Sequence, residues 1–444
     1  MMNASRKFHS VGFLAIIVMA QVSFISGFVP VAPSSFVPKS GVKLEKLQNS
    51  QRVQVHATEL SMGLKTEALK VAAGFALRRI PGASLVLGVA AGVAGGIYLK
   101  KKLDTPSRPY DQEKNTVAAE YDAWTEEGIL EEYWGEHIHL GYYTEEERAK
   151  GAFKKDSKLA RYDFIDEMMK FGSLSTTENI PKTFLDVGCG FGGTSRHIAK
   201  KLPETQVTGI TISPKQVERA TELAKEQNVP NAKFMLVDAL NMTFPDNSFD
   251  FVWACESGEH MPDKKQYIEE MMRVLKPGGR FVMATWCQRD DSAKPFTPEE
   301  EKKLDFLYSE WTHPHFISIE DYVKLIEGTG VMEKVGSANW ADETIASWRH
   351  AIYEGAFKPW FVIRRPHLWW KTIKDCYCME KMHRAFDEGL MTYGMFYATK
   401  KSQSLSVEET ATKISEDVPS SSQGQFKGYL DFLENYSSLQ KNLV

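Results

Sequence analysis

The chain has 444 residues, 43% of them hydrophobic and 25% charged, with 54 Lys and Arg against 58 Asp and Glu. That is enough apolar material for one large core plus accessory segments, and a net charge of −4 without an arginine-rich stripe excludes a general nucleic-acid surface. Five cysteines, Cys189, Cys255, Cys287, Cys376 and Cys378, make neither a disulfide framework nor a zinc pattern, so no metal is expected and the thiols read as reduced and mostly buried.

Residues 1–27 read as a signal sequence: Arg6 and Lys7 form its basic start, 11–25 are apolar, and Ser26-Gly27 offer a cleavage site. Residues 28–58 begin with Phe28 and set Lys39, Lys43, Lys46 and Arg52 against Glu45 alone, a transit-peptide composition. Together the two parts resemble the presequence of algal plastids bounded by several membranes; secretion, the alternative, leaves the basic second part unexplained. Next, the uncharged stretch 83–99 lies between Arg78-Arg79 and Lys100-Lys101-Lys102. It is at the lower edge of a membrane span, and Gly88, Gly92 and Gly96 give it a smooth face. Segment 81–102 therefore reads as an anchor or an interfacial helix, against the alternative of a buried core helix. At the far end, 401–444 read as a flexible tail.

Between 182 and 286 apolar runs alternate with amphipathic helices. Strands are expected at 184–187, 206–211, 233–237, 249–254 and 280–285, and helices at 214–227 and 264–275, the latter closed by Lys276-Pro277-Gly278-Gly279. This predicts an α/β, Rossmann-like parallel sheet with helices on both faces and its ligand at the carboxyl ends of the strands. Two last strands are expected at 331–340 and 395–399, with a helical cap inserted between them.

Asp186-Val187-Gly188-Cys189-Gly190-Phe191-Gly192-Gly193 ends the first strand and opens a helix. Gly188, Gly190 and Gly193 satisfy the dinucleotide fingerprint, so a nicotinamide cofactor competes. Such a site wants an acid at the end of the second strand for the ribose, where this chain has Thr211-Ile212-Ser213. It also avoids a carboxylate beside its pyrophosphate, whereas Asp186 precedes the first glycine by two. A phosphate-free cofactor with a cationic sulfonium and amino group is favoured by that charge, which points to S-adenosylmethionine. Asp238-Ala239, ending the third strand, are placed to read an adenine amino group and ring nitrogen. Ser213-Pro214-Lys215-Gln216 also reads as an ordinary helix cap.

Tyr121-Asp122-Ala123-Trp124, the segment Glu132-Tyr133-Trp134-Gly135-Glu136-His137-Ile138-His139-Leu140-Gly141-Tyr142-Tyr143, and Glu256-Ser257-Gly258-Glu259-His260-Met261-Pro262-Asp263-Lys264 resemble the γ-tocopherol and 2-methyl-6-phytylbenzoquinol methyltransferases of plastids and cyanobacteria. The resemblance covers about 83–400 and includes Thr285-Trp286-Cys287-Gln288-Arg289-Asp290. It implies a class I fold and C-methylation of a prenylated phenol or quinol, γ-tocopherol to α-tocopherol first, with the benzoquinol of tocopherol and plastoquinone synthesis as alternative. It implies a domain over 110–400: lid and lead helices to 180, a cofactor core over 181–290, and a substrate cap beyond. It assigns the ribose to Thr211 and Gln216, and folds 134–143 over the cofactor as a lid, bringing Tyr142 to it.

Methylating an aromatic carbon requires an electron-rich ring, alignment with the methyl donor and exclusion of water. A phenol has a pKa of about 10, so a base must assist its activation. His260 stands where such a base would reach the acceptor, with Glu256 and Glu259 placed to orient the imidazole or meet the sulfonium; the alternative is that His260 packs a turn. Residues 357–371 interleave Phe357, Trp360, Phe361, Trp369 and Trp370 with Lys358, Arg364, Arg365 and Lys371, a composition suited to a lipid interface of the plastid membrane. Two other readings compete: a small-amine N-methyltransferase, and a membrane-tethered binding protein without activity.

Overall fold

In a computed structural model the described residues are 83–402, apart from Ser175 and Ala293. The presequence expected over 1–58 and the tail from 403 lie outside them. The chain divides into two compact units, which among described residues comprise 83–107 with 356–377, and 108–355 with 378–402.

The larger unit is built on seven strands: β1 (Thr183–Val187), β2 (Gln206–Thr211), β3 (Ala232–Leu236), β4 (Phe249–Cys255), β5 (Leu275–Gln288), β6 (Met332–Asn339) and β7 (Met391–Lys400). Their order is β3-β2-β1-β4-β5-β7-β6. Strands β1 to β5 pair in parallel, and the runs Phe184, Leu185, Val187 and Phe251, Val252, Trp253, Ala254 are apolar on both faces because helices cover both. The strands expected over 182–286 are parallel, as the sequence suggested, and the two strands beyond them make the sheet mixed. Strand β7 runs antiparallel between β5 and β6, because the chain returns to the sheet through the insertion 340–390 in the reverse sense. Lys276-Pro277-Gly278-Gly279, expected to close the helix before them, lie instead within β5 as an irregularity, the pairing stepping from Phe249↔Leu275 to Phe251↔Arg280.

The strand order reverses between β1 and β4, so the loops after those two strands part and leave a crevice at their carboxyl ends. Helix starts are fixed by local chemistry. Ser213 accepts from the Gln216 amide at 3.1 Å, with Pro214 at the first helical position of Pro214–Glu226, and Asp263 accepts from Gln266 at 2.8 Å to start Lys264–Val274. The expected cap consists of the helices Ala341–Thr344, Ala346–Phe357, Trp360–Ile363 and Trp369–Asp387 between β6 and β7.

In the smaller unit, Ala83–Asp104 is helical, and its carboxyl end is tied down by Lys374, whose Nζ donates to the carbonyls of Leu103 at 2.5 Å and Thr105 at 2.7 Å, and by Tyr377 bonded to Asp104. Lys102 stands 4.5 Å over the Trp370 ring. No helix among the described residues is long and apolar enough to cross a membrane.

Candidate active site

The crevice at the β1/β4 switch encloses about 350 Å³. Asp186, Gly188 and Gly190 line it from β1, Thr211 and Gln216 from β2, and Asp238 and Ala239 from β3. Gly188 has φ +82°, and a Cβ there would stand 2.4 Å from Cβ of Ser257, so a side chain is refused on both counts. Ser257 cannot yield, since its Oγ bonds the Val187 carbonyl at 2.8 Å and the Tyr267 hydroxyl at 2.7 Å. Gly192 stands off the crevice and acts one turn away, with φ +69° at the start of helix Gly193–Lys201.

Asp186 is 2% exposed and accepts from Ser195 Oγ at 2.6 Å; burial pushes its carboxyl up to about 7. A cation seated beside it would return it to the charged form, the fit expected for a sulfonium or amino group. Thr211 Oγ1 donates to Gln216 Oε1 at 2.8 Å, holding the two residues together on the crevice wall. Asp238 is exposed and its Oδ1 accepts from the Leu240 amide at 2.9 Å, fixing the turn that carries Ala239.

The segment expected as a lid covers the crevice with Glu136, His137, Ile138 and His139. It is clasped to the core by Glu136, which takes a 2.5 Å ion pair from buried Arg196 and two amide bonds from Gln227. A Cβ on Gly193 would meet the Glu136 carbonyl at 2.3 Å, so this glycine is what lets the lid backbone approach the helix. His139, 3% exposed, is lowered to about 4 by burial, and His137 is lowered for the same reason. Tyr142 is not at the cofactor end: its ring packs edge-on to Trp340 at 5.3 Å and its amide donates to the Ala160 carbonyl at 2.8 Å, because the chain turns away after Leu140.

Beyond β4 the crevice is lined by Glu256, Ser257, His260, Met261 and Pro262, with Tyr121 opposite. His260 is hydrogen-bonded through Nε2 to the Tyr121 hydroxyl at 2.9 Å, so a tyrosine orients the imidazole, not either glutamate as the sequence suggested. Burial lowers His260 to about 3, and it stands as a neutral ring. Glu256, at φ +49°, accepts from the Leu140 amide at 2.8 Å and from Tyr393 Oη at 2.6 Å. Glu259 lies behind the lining, 1% exposed, and accepts from Thr285 Oγ1 at 2.7 Å. Burial raises both carboxyls, Glu256 further by the charge of Glu259. The strained backbone at Glu256 is of the kind that active sites retain.

Sequence reasoning gave no role to Tyr121, although it stands in one of the motifs quoted above; nor to Asp122, whose carboxylate accepts from Ser213 Oγ at 2.5 Å and ties the lead helix to the β2 loop. Tyr393 and Arg196 carried no local signal. Among the described residues no cluster of potential metal ligands is present.

Residues 185–283 match the family model described as a methyltransferase domain. The 2-methyl-6-phytyl-1,4-hydroquinone methyltransferase of Synechocystis sp. is 43% identical over 316 residues, covering 70% of this chain and 93% of that one. The chloroplastic tocopherol O-methyltransferase of Arabidopsis thaliana is 34% identical over 279 residues, covering 62% and 79%. Geranyl diphosphate C-methyltransferase from Streptomyces coelicolor A3(2), solved with Mg2+, geranyl diphosphate and S-adenosyl-L-homocysteine, is similar in fold, with a TM-score of 0.51 at 16% identity over 67% of this chain and 99% of that one.

Proposed function

Because the chain belongs to the tocopherol-pathway methyltransferases, class I enzymes that use S-adenosylmethionine, we propose that its methyl acceptor is a prenylated hydroquinone. The hydroquinone is preferred to γ-tocopherol because the hydroquinone-methylating relative is the more similar of the two, 43% against 34%, over a larger share of its length. The observation that carries the chemistry is the half-buried Tyr121–His260 pair on the crevice, hydrogen-bonded at 2.9 Å, beside Glu256, whose carboxylate burial makes more basic than usual.

S-adenosylmethionine supplies an electrophilic methyl on a sulfonium and leaves as the neutral thioether. Asp186, Gly188 and Gly190 would hold its amino-acid end, Thr211 and Gln216 the ribose, Asp238 and Ala239 the adenine. His260, held by Tyr121, orients the acceptor hydroxyl so that the neighbouring ring carbon faces the methyl. A carbon–carbon bond forms there, and the hydrogen on that carbon then leaves as a proton to restore the aromatic ring. Glu256 in its ionised form takes that proton: burial makes its carboxylate a stronger base than an ordinary one, whereas the same burial makes His260 a weaker one. The lid 136–139 keeps water out.

The site of action proposed is a plastid membrane. The chloroplastic relative and the composition of 1–58 support the plastid. In the smaller unit Ile97, Tyr98, Leu99, Phe357, Trp360 and Trp370 are exposed, amid eight Lys and Arg against two Asp, which supports docking on a lipid surface without a span. Trp369, which the sequence grouped with Trp370, turns inward and donates to the Val362 carbonyl at 2.9 Å, so Trp360 is the better partner for Trp370 in a liposome-binding test.

The function is tested by offering methyl-labelled S-adenosylmethionine with 2-methyl-6-phytylhydroquinone and γ-tocopherol side by side. Label is expected on the hydroquinone ring; label on γ-tocopherol alone, or on neither, contradicts the proposal.

A further inference from the structure

Packed against His260 stands a cluster of rings to which methyl transfer as described above assigns no part. His313 stacks on His260 with centroids 4.4 Å apart and planes 27° apart. Trp286 meets His313 edge-on at 5.4 Å and Trp348 at 4.9 Å, and Phe316 closes on His313 at 5.0 Å. Both ring nitrogens of His313, Nδ1 of His260 and the indole nitrogens of Trp311 and Trp348 are buried without a hydrogen-bond partner in the protein. His313 itself is 2% exposed. Leaving buried donors and acceptors unpaired is disfavoured, and a concentration of them at one place needs a reason.

The backbone holds His313 there under strain. Thr312 before it has φ +57°, a region that β-branched residues avoid, and the His313 amide donates to the Tyr308 carbonyl at 3.0 Å. The preceding Trp311 lies 5.4 Å under the Arg108 guanidinium, which is itself paired with buried Glu310 at 3.1 Å. The surrounding rings are flat, and the unpaired polar atoms among them are imidazole and indole nitrogens. Two adjacent neutral imidazoles offer an N–H and a bare nitrogen, so one hydroxyl can donate to one ring while accepting from the other. An aromatic ring carrying a hydroxyl is the ligand with that complement, whereas a carboxylate or ammonium would find no opposite charge on these rings.

We propose that His313 is a substrate-positioning residue that, together with His260, reads the phenolic hydroxyl of the acceptor ring. The proposal rests on the hydroquinone reading above and adds to it which residue discriminates a free hydroxyl from a blocked one. A site built to bond a hydroxyl rejects the analogue lacking it, since its own buried groups are then left unpaired.

The test uses the full chain loaded with S-adenosylhomocysteine, and titrates a short-chain prenylated hydroquinone and its di-O-methyl ether while following tryptophan fluorescence. The wild type is expected to prefer the free hydroquinone at least about tenfold. In His313→Phe, which keeps the ring and removes both nitrogens, the preference should fall to about threefold or less, with S-adenosylhomocysteine affinity within about twofold of wild type. His313→Gln, which restores a donor and an acceptor, should recover part of the preference. Retention of the full preference in His313→Phe overturns the proposal, and so does loss of S-adenosylhomocysteine binding in both variants, which would make the role structural. A wild type that binds both compounds equally defeats this inference alone; one that binds neither defeats the hydroquinone reading with it.

Discussion

The two walls of the crevice are made by different means. At the ends of β1, β2 and β3 the wall proposed for the cofactor is backbone turns and short-range pairs: Gly188 and Gly190 at positive φ, Thr211 bonded to Gln216 five residues on, Asp238 capping its own turn. On the acceptor wall the partners come from far along the chain: Tyr121 meets His260 from 139 residues away, Leu140 and Tyr393 meet Glu256 from 116 and 137. The first wall tolerates little change in shape. The second is a set of buried polar groups whose protonation states depend on one another's placement.

Gly188→Ala attacks the first wall and should have the largest effect. With φ +82° and an unyielding Ser257 at 2.4 Å, the variant is expected to lose about 2 kcal/mol or more of stability and all measurable S-adenosylhomocysteine binding. Thermal melting and calorimetry check it, and a variant that binds normally would show the loop to be looser than described. Glu256→Gln attacks the second wall. Turnover should fall roughly a hundredfold while cofactor affinity stays within a few-fold. A base acts ionised, so wild-type activity should rise as pH climbs through the raised carboxyl of Glu256; that rising limb should vanish in the variant, and its persistence would assign it elsewhere.

Asp186→Asn should weaken the cofactor about tenfold. The wild-type carboxyl, at about 7 when free, is drawn down by the incoming cation, so binding near pH 6.5 should release a proton. Calorimetry in two buffers of different ionisation enthalpy reads that release, and its survival in the variant would sink the assignment. The smallest effect concerns the lid. His139 is held at about 4, below its unfolded value near 6.5, so its contribution is complete above 6.5 and is lost as pH falls towards 4. The cost should be about 1 kcal/mol at pH 5.5, seen as faster hydrogen exchange over 136–141; exchange independent of pH in that range, after correction for intrinsic rates, would contradict it.

The same difference explains what could be read from the sequence. The glycine loop, the missing second-strand acid and the caps at Ser213 and Asp263 are local signals, and the strands they flank were legible within a few residues. The reversed β7 was not, since periodicity carries no information on direction. Tyr142 was misplaced because the chain turns away after Leu140, whereas Glu136 to His139 do face the crevice. His313 left no trace at all: Trp311-Thr312-His313-Pro314-His315 matches no ligand or catalytic spacing, and only the fold stacks His313 on His260.

If one wall holds the cofactor and the other performs the chemistry, His260→Ala should separate the two. S-adenosylhomocysteine affinity and hydroquinone methylation are measured on the same preparation. Affinity should stay within about twofold of wild type while turnover falls at least about tenfold. Unchanged turnover, or affinity and turnover falling in step, would contradict it.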